Sequence, residues 1–164
     1  MSLLADRRLR LAGLTAAAVL VADQASKRVV ERAMALHETI DLLPFVALTH
    51  VRNTGAAFGA LAAAPPAVRL PLFFVVTLVA VGALVSLVRR TPADQRGLVG
   101  ALGAVLGGAL GNLVCRLRYG EVIDFLDLHW GGLHWPAFNV ADSAITVGVA
   151  VILLRGMRSP RRLA

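Results

Sequence analysis

Apolar and polar residues in this chain are segregated into long blocks, without the alternation of a half-buried strand or the stripe of a surface helix. Four apolar blocks stand out: Leu9 to Ser26, Leu70 to Val88, Leu98 to Cys115, and Val140 to Leu154. A helix needs roughly 20 residues to cross the hydrocarbon of a bilayer, within a range of about 17 to 25. The second and third blocks meet that length unaided. The first is interrupted late by Asp23, and the fourth is long enough only if the helix starts near Phe138. All four are predicted to be helices, because in lipid only helices and closed barrels satisfy their own backbone hydrogen bonds. The expected spans are 9–26, 70–88, 98–115 and 138–155, in a single domain covering 1–164.

The connections differ in kind. Ile40 to Val51 is rich in apolar and β-branched residues and runs into Asn53-Thr54-Gly55, a turn signal, which predicts a short amphipathic sheet at a membrane interface. The segment between the third and fourth blocks holds Trp130 and Trp135, the only tryptophans, as an interfacial aromatic belt does. Gly100, Gly103, Gly107, Gly108 and Gly111 mark the third block as a helix that neighbours approach closely.

Composition agrees with a bilayer solvent. Of 164 residues, 57% are hydrophobic and 16% charged, against about a quarter charged in a soluble domain. Mean hydropathy is +0.72. The net charge of +7 does not point to nucleic acid, because the arginines flank apolar blocks where a nucleic-acid module would gather them on one soluble face. There they serve as topology signals and anchors to anionic membrane lipid. Arg7, Arg8 and Arg10, then Arg89, Arg90 and Arg96, then Arg155, Arg158, Arg161 and Arg162 fall on one side of a four-span chain, which predicts that both termini are cytoplasmic. The first block is expected to be retained, since no cut after Ala22 or Ala25 leaves small residues at both −1 and −3. The single cysteine, Cys115, excludes an intrachain disulfide and a cysteine-only metal site.

Polar residues at membrane depth are costly and usually functional, and here they gather at the outer ends of the helices. Asp23 and Lys27 share a face at the end of the first block, and Asn112 and Arg116 do so at the end of the third. Asn139 and Asp142 share a face at the start of the fourth, and Asp124 precedes it in Val122-Ile123-Asp124-Phe125. Each has an ordinary reading: an i,i+4 ion pair, an interfacial arginine, an acid at a helix start. Their common level is harder to explain that way. Two carboxylates in apolar surroundings share a proton, so the ionised one can activate water while the protonated one donates to a carbonyl oxygen. Asp124 and Asp142 form the expected catalytic pair, with Asp127 the nearest competitor. This chemistry calls for no cofactor and no metal.

Five segments resemble the signature boxes of lipoprotein signal peptidase (signal peptidase II). They are Asp23-Gln24-Ala25-Ser26-Lys27, Asn53 to Phe58, Gly107 to Asn112 continuing to Arg116, Val122 to Phe125, and Phe138 to Asp142. The resemblance implies an all-α membrane protein: a four-transmembrane-helix bundle with a small β-sheet element and a catalytic segment on the periplasmic, outer face of the bacterial inner membrane. It implies an aspartic endopeptidase that cuts prolipoproteins before a diacylglyceryl-modified cysteine, with Asp124 and Asp142 as the dyad; separately from the resemblance, the chain is expected to be a monomer. Asn53, Gly55, Asn112, Arg116 and Asn139 would surround the dyad and hold substrate, and Asp23 and Lys27 would stabilise the architecture. One position departs from the family pattern: Cys115 stands where an aspartate usually precedes the arginine of the third box. That leaves three rivals: a non-catalytic homologue that binds lipidated precursors, a thiol protease using Cys115 with His129 or His134, and a small transporter.

Overall fold

The computed structural model describes residues 3–55 and 61–158. Four helices and four strands follow in the order α1 (Leu3–Ala33), β1 (Thr39–Leu43), β2 (Val46–Asn53), α2 (Pro66–Arg90), α3 (Arg96–Tyr119), β3 (Val122–Trp130), β4 (Leu133–His134) and α4 (Val140–Arg158). Each apolar block lies inside a helix, and every helix outruns its block at one end or both. The largest extension is on α1, which continues past Lys27 to Ala33. By length and composition α2, α3 and α4 are suited to cross a membrane. In α1 the apolar run is bounded by Arg10 and Asp23, so it is less lipophilic than the other three.

The third helix is the centre of the bundle. Its apolar window is 56% buried, against 11% for α2 and for α4, whose large side chains Val75, Val79, Val147 and Leu153 face outward. Small residues explain how α3 holds that position. A Cβ on Gly103 would meet the Ala12 carbonyl at 2.5 Å, one on Gly107 the Ala16 carbonyl at 2.5 Å, and one on Gly108 the Ala141 carbonyl at 2.5 Å. Backbone-to-backbone approach of this kind is a common source of cohesion between helices in lipid, where no hydrophobic force drives them together. Gly100 is different, since a Cβ there would meet nothing within 4 Å.

The short sheet expected over Ile40 to Val51 is present, as a hairpin of β1 and β2, but it belongs to a larger antiparallel sheet of order β1-β2-β3-β4. The second half of that sheet comes from the segment between α3 and α4. Val122 to Phe125 are all buried, so this half-strand lacks the alternation that marks a strand in sequence. At one end of the bundle Arg8 donates to the carbonyls of Arg89 (3.0 Å) and Thr91 (2.5 Å), and Arg155 lies against Gly97. The arginine-rich segments therefore meet at the end opposite the sheet.

Candidate active site

Pairing in the sheet brings Asp124 to its neighbours. Asp124 lies opposite Val51 on β2, so Asn53, two residues on, projects from the same face. Its Nδ2 donates to Asp124 Oδ2 at 3.0 Å. On the other flank Phe138 bridges to Leu126, with hydrogen bonds of 2.8 and 3.0 Å. This bridge holds the start of α4 against β3, and Asn139 Nδ2 donates to Asp124 Oδ1 at 2.6 Å.

Asn139 also organises the first turn of α4. Its Oδ1 accepts from the Asp142 backbone N–H (3.0 Å), while Asp142 Oδ2 accepts from the Asn139 backbone N–H (3.2 Å). That reciprocal pair is a capping box, with Asp in the place usually held by Glu or Gln. It occupies only one carboxylate oxygen. Asp142 Oδ1 accepts from Asn112 Nδ2 at 2.8 Å, so both acids are held by side-chain amides and connected through Asn139.

Beneath them lies a buried ion pair. Lys27 Nζ donates to Asp23 Oδ2 (2.8 Å) and to Asn112 Oδ1 (2.9 Å), with Lys27 2% and Asp23 0% exposed. Asp23 Oδ1 accepts from the Ala141 backbone N–H at 3.0 Å, which binds the end of α1 to the start of α4. Gly111 makes room for this carboxylate, because a Cβ there would lie 2.6 Å from Asp23 Oδ2. Gln24 also donates to Asp23 Oδ2 (2.9 Å) and to the Gly111 carbonyl (3.0 Å).

Arg116 closes the site on a third side. Its Nη2 donates to the Gly55 carbonyl at 2.7 Å, and its guanidinium lies 4.3 Å from the centre of the Phe73 ring. Gly55 donates its N–H to Asn53 Oδ1 at 2.9 Å, an Asx turn that folds the end of β2 toward Arg116. The Arg116 Nε is buried without a hydrogen-bond partner among the described residues. Ala56, Ala57 and Phe58, the rest of that sequence box, lie outside the described residues.

Asp124 is 2% exposed. Burial, and then the charge of Asp142, push its carboxyl up to about 6, against the opposing hydrogen bonds from Asn53 and Asn139.

The sequence and the fold both match a known family over most of the chain. The family described as signal peptidase (SPase) II matches residues 15–158. The chain belongs to the signal peptidase II family. The lipoprotein signal peptidase of Geobacter sulfurreducens is 47% identical over 88% of this chain and 90% of its own length. That of Syntrophotalea carbinolica is 49% identical over 88% and 89% respectively. A solved bacterial membrane enzyme superposes with a TM-score of 0.82 at 30% identity, covering 93% of this chain and 91% of its own.

Within this signal peptidase II fold all nine site residues expected from sequence join one hydrogen-bonded cluster. The competitors lie elsewhere. Asp127 pairs with His134 at 2.9 Å, and Cys115 is buried in α3 with Gln24 Nε2 3.9 Å from its sulfur and no histidine hydrogen-bonded to it among the described residues. Sequence reasoning missed three supports. Phe73 carries the Arg116 guanidinium, Gln24 braces Asp23, and Glu31 accepts from Tyr119 (3.0 Å) and Arg52 (3.1 Å). Gln24 stood inside a quoted box; Glu31 and Phe73 had no local signal, because their partners are distant in sequence.

Proposed function

We propose that the chain removes signal peptides from diacylglyceryl-modified prolipoproteins as an aspartic endopeptidase, with Asp124 and Asp142 as its catalytic pair. The observation that carries this reading is the bridge of Asn139 between the two carboxylates, one of which holds its proton to about pH 6.

The two acids have different surroundings, which gives them different roles. Asp142 sits in the first turn of α4, where the helix presents its positive end. It takes a proton from water as the oxygen attacks the scissile carbonyl carbon. Protonated Asp124 gives its proton to the carbonyl oxygen, forming a neutral tetrahedral diol. Asp124 then recovers that proton while Asp142 passes the other to the leaving nitrogen, and the C–N bond breaks. Asn53, Asn112 and Asn139 keep the pair in place, and the Nε of Arg116, without a partner among the described residues, is a donor for a substrate carbonyl.

Four spans fit this reading. At 1.5 Å per residue the 31 residues of α1 outrun a hydrocarbon core of about 30 Å, and Asp23 and Lys27 point into the bundle and away from lipid. The arginine-rich end faces the cytoplasm with both termini, and the sheet and dyad face the outer leaflet, where a lipidated cysteine lies. Ile40, Leu42, Leu43 and Phe45 on the first hairpin are exposed and suit the lipid interface.

The test is incubation of the purified protein in detergent with a diacylglyceryl-modified prolipoprotein and with the same precursor unlipidated. Mass spectrometry should find a single cut, before the lipidated cysteine, in the first only. Binding without cleavage would favour the non-catalytic homologue, and equal cutting of both precursors would remove the lipid from recognition.

A further inference from the structure

The tip of the sheet carries a side-chain cluster that the dyad does not use. Alternation along β3 puts Asp127 and His129 on one face, and His129 is registered directly opposite His134 on β4. The connecting Gly131 and Gly132 have φ of 56° and 85°, the left-handed conformation that a two-residue hairpin of this twist demands. The two imidazole rings are 5.3 Å apart, and His134 Nδ1 is 2.9 Å from Asp127 Oδ2. One ligand atom from each of the three residues lies within 4.8 Å of the other two.

We propose that Asp127, His129 and His134 bind one divalent transition-metal ion, with zinc as the probe of choice, and that the ion clamps β4 to β3. Two imidazoles and a carboxylate are a recognised donor set for such ions, and three protein ligands leave a position for water. Tetrahedral bonds of about 2.1 Å require ligand atoms about 3.4 Å apart, so the cluster must contract. His134 can supply that movement, being 59% exposed on a strand of two residues. A plain Asp127–His134 ion pair accounts for two of the three residues. It leaves Nδ1 of His129 buried without a hydrogen-bond partner among the described residues, a state that a buried polar atom rarely tolerates. The opposite face of the hairpin carries exposed Leu128, Trp130, Leu133 and Trp135, so the clamp would fix an interfacial hairpin whose polar face stays in water.

The full chain, purified in detergent on a tag without histidine and stripped with chelator, can be titrated with zinc by calorimetry. Trp130 and Trp135, each next to a proposed ligand, report the same event by fluorescence. The expected result is one zinc per chain with a dissociation constant of about 1 μM or tighter and a raised melting temperature. His134→Ala and Asp127→Asn should each weaken uptake at least about tenfold, in protein whose unliganded melting temperature is close to that of the parent. No saturable uptake below about 100 μM, or uptake unchanged in His134→Ala, would overturn the assignment.

Discussion

Two pairs of charged side chains lie at the same end of this bundle, with Asp23, Lys27 and Asp124 buried and Asp142 half-buried, and they differ in sign. At the close of α1, Asp23 and Lys27 are opposite charges in direct contact at 2.8 Å. Between β3 and α4, Asp124 and Asp142 are like charges, held by amides where cations would otherwise be expected. The first arrangement satisfies each charge and ties three helices together. The second sets two carboxyls near each other with amide partners only, and burial with the charge of Asp142 pushes Asp124 up to about 6. Asn112 belongs to both, with its Oδ1 on Lys27 and its Nδ2 on Asp142, so the ion pair and the acid pair share one support.

Breaking the opposite-charge pair has the largest expected effect. Lys27→Met strands the Asp23 carboxylate in a dry site and should destabilise the fold by about 3–5 kcal/mol. The double variant Asp23→Asn/Lys27→Met should recover much of that loss, because the unpaired charge is gone. Melting temperatures in detergent read both, and equal instability of single and double variants would deny the pair its anchoring role.

The like-charge pair should show itself in the pH dependence of stability. The Asp124 carboxyl holds its proton to about 6 in the folded chain, against about 3.9 unfolded. Between those values the folded state binds a proton that the unfolded state lacks, so stability from this group is full below about pH 4 and is lost as pH rises through about 6. The melting temperature of the parent relative to Asp124→Asn should therefore fall across that window. A difference that stays constant from pH 4 to 7 would place the Asp124 carboxyl in the ordinary range.

The smallest effect is expected at Cys115. It is buried against Gln24, on the Asp23 side of the site. Cys115→Ala and Cys115→Asp should each keep cleavage within about tenfold of the parent, roughly 1.4 kcal/mol of barrier. Loss of turnover in Cys115→Ala, with inhibition of the parent by thiol alkylation, would make the sulfur a participant.

What could be read from sequence follows the range of the interactions involved. Bilayer-length apolar blocks are a local property, so the helices were legible to within a turn or two at most ends. Pairs such as Asp23 with Lys27 and Asn139 with Asp142 follow from helical spacing alone. The strand that carries Asp124 did not, because its buried half runs Val-Ile-Asp-Phe without alternation and its register depends on β2 and Phe138, both far along the chain. The extension of α1 to Ala33 was hidden for the same reason. Its last turns are polar, and they are held by Glu31 reaching Arg52 and Tyr119.

The central claim is that Asp124 and Asp142 together perform the cut, and turnover by their amide variants tests it most directly. Asp124→Asn, Asp142→Asn and, for comparison, Asp127→Asn would be purified at equal folded concentration and supplied with the lipidated precursor. The first two should lose at least about a thousandfold in rate, within the span expected for removing a general acid or base, while Asp127→Asn turns over like the parent. Comparable turnover in Asp124→Asn or Asp142→Asn, or loss confined to Asp127→Asn, would contradict the account.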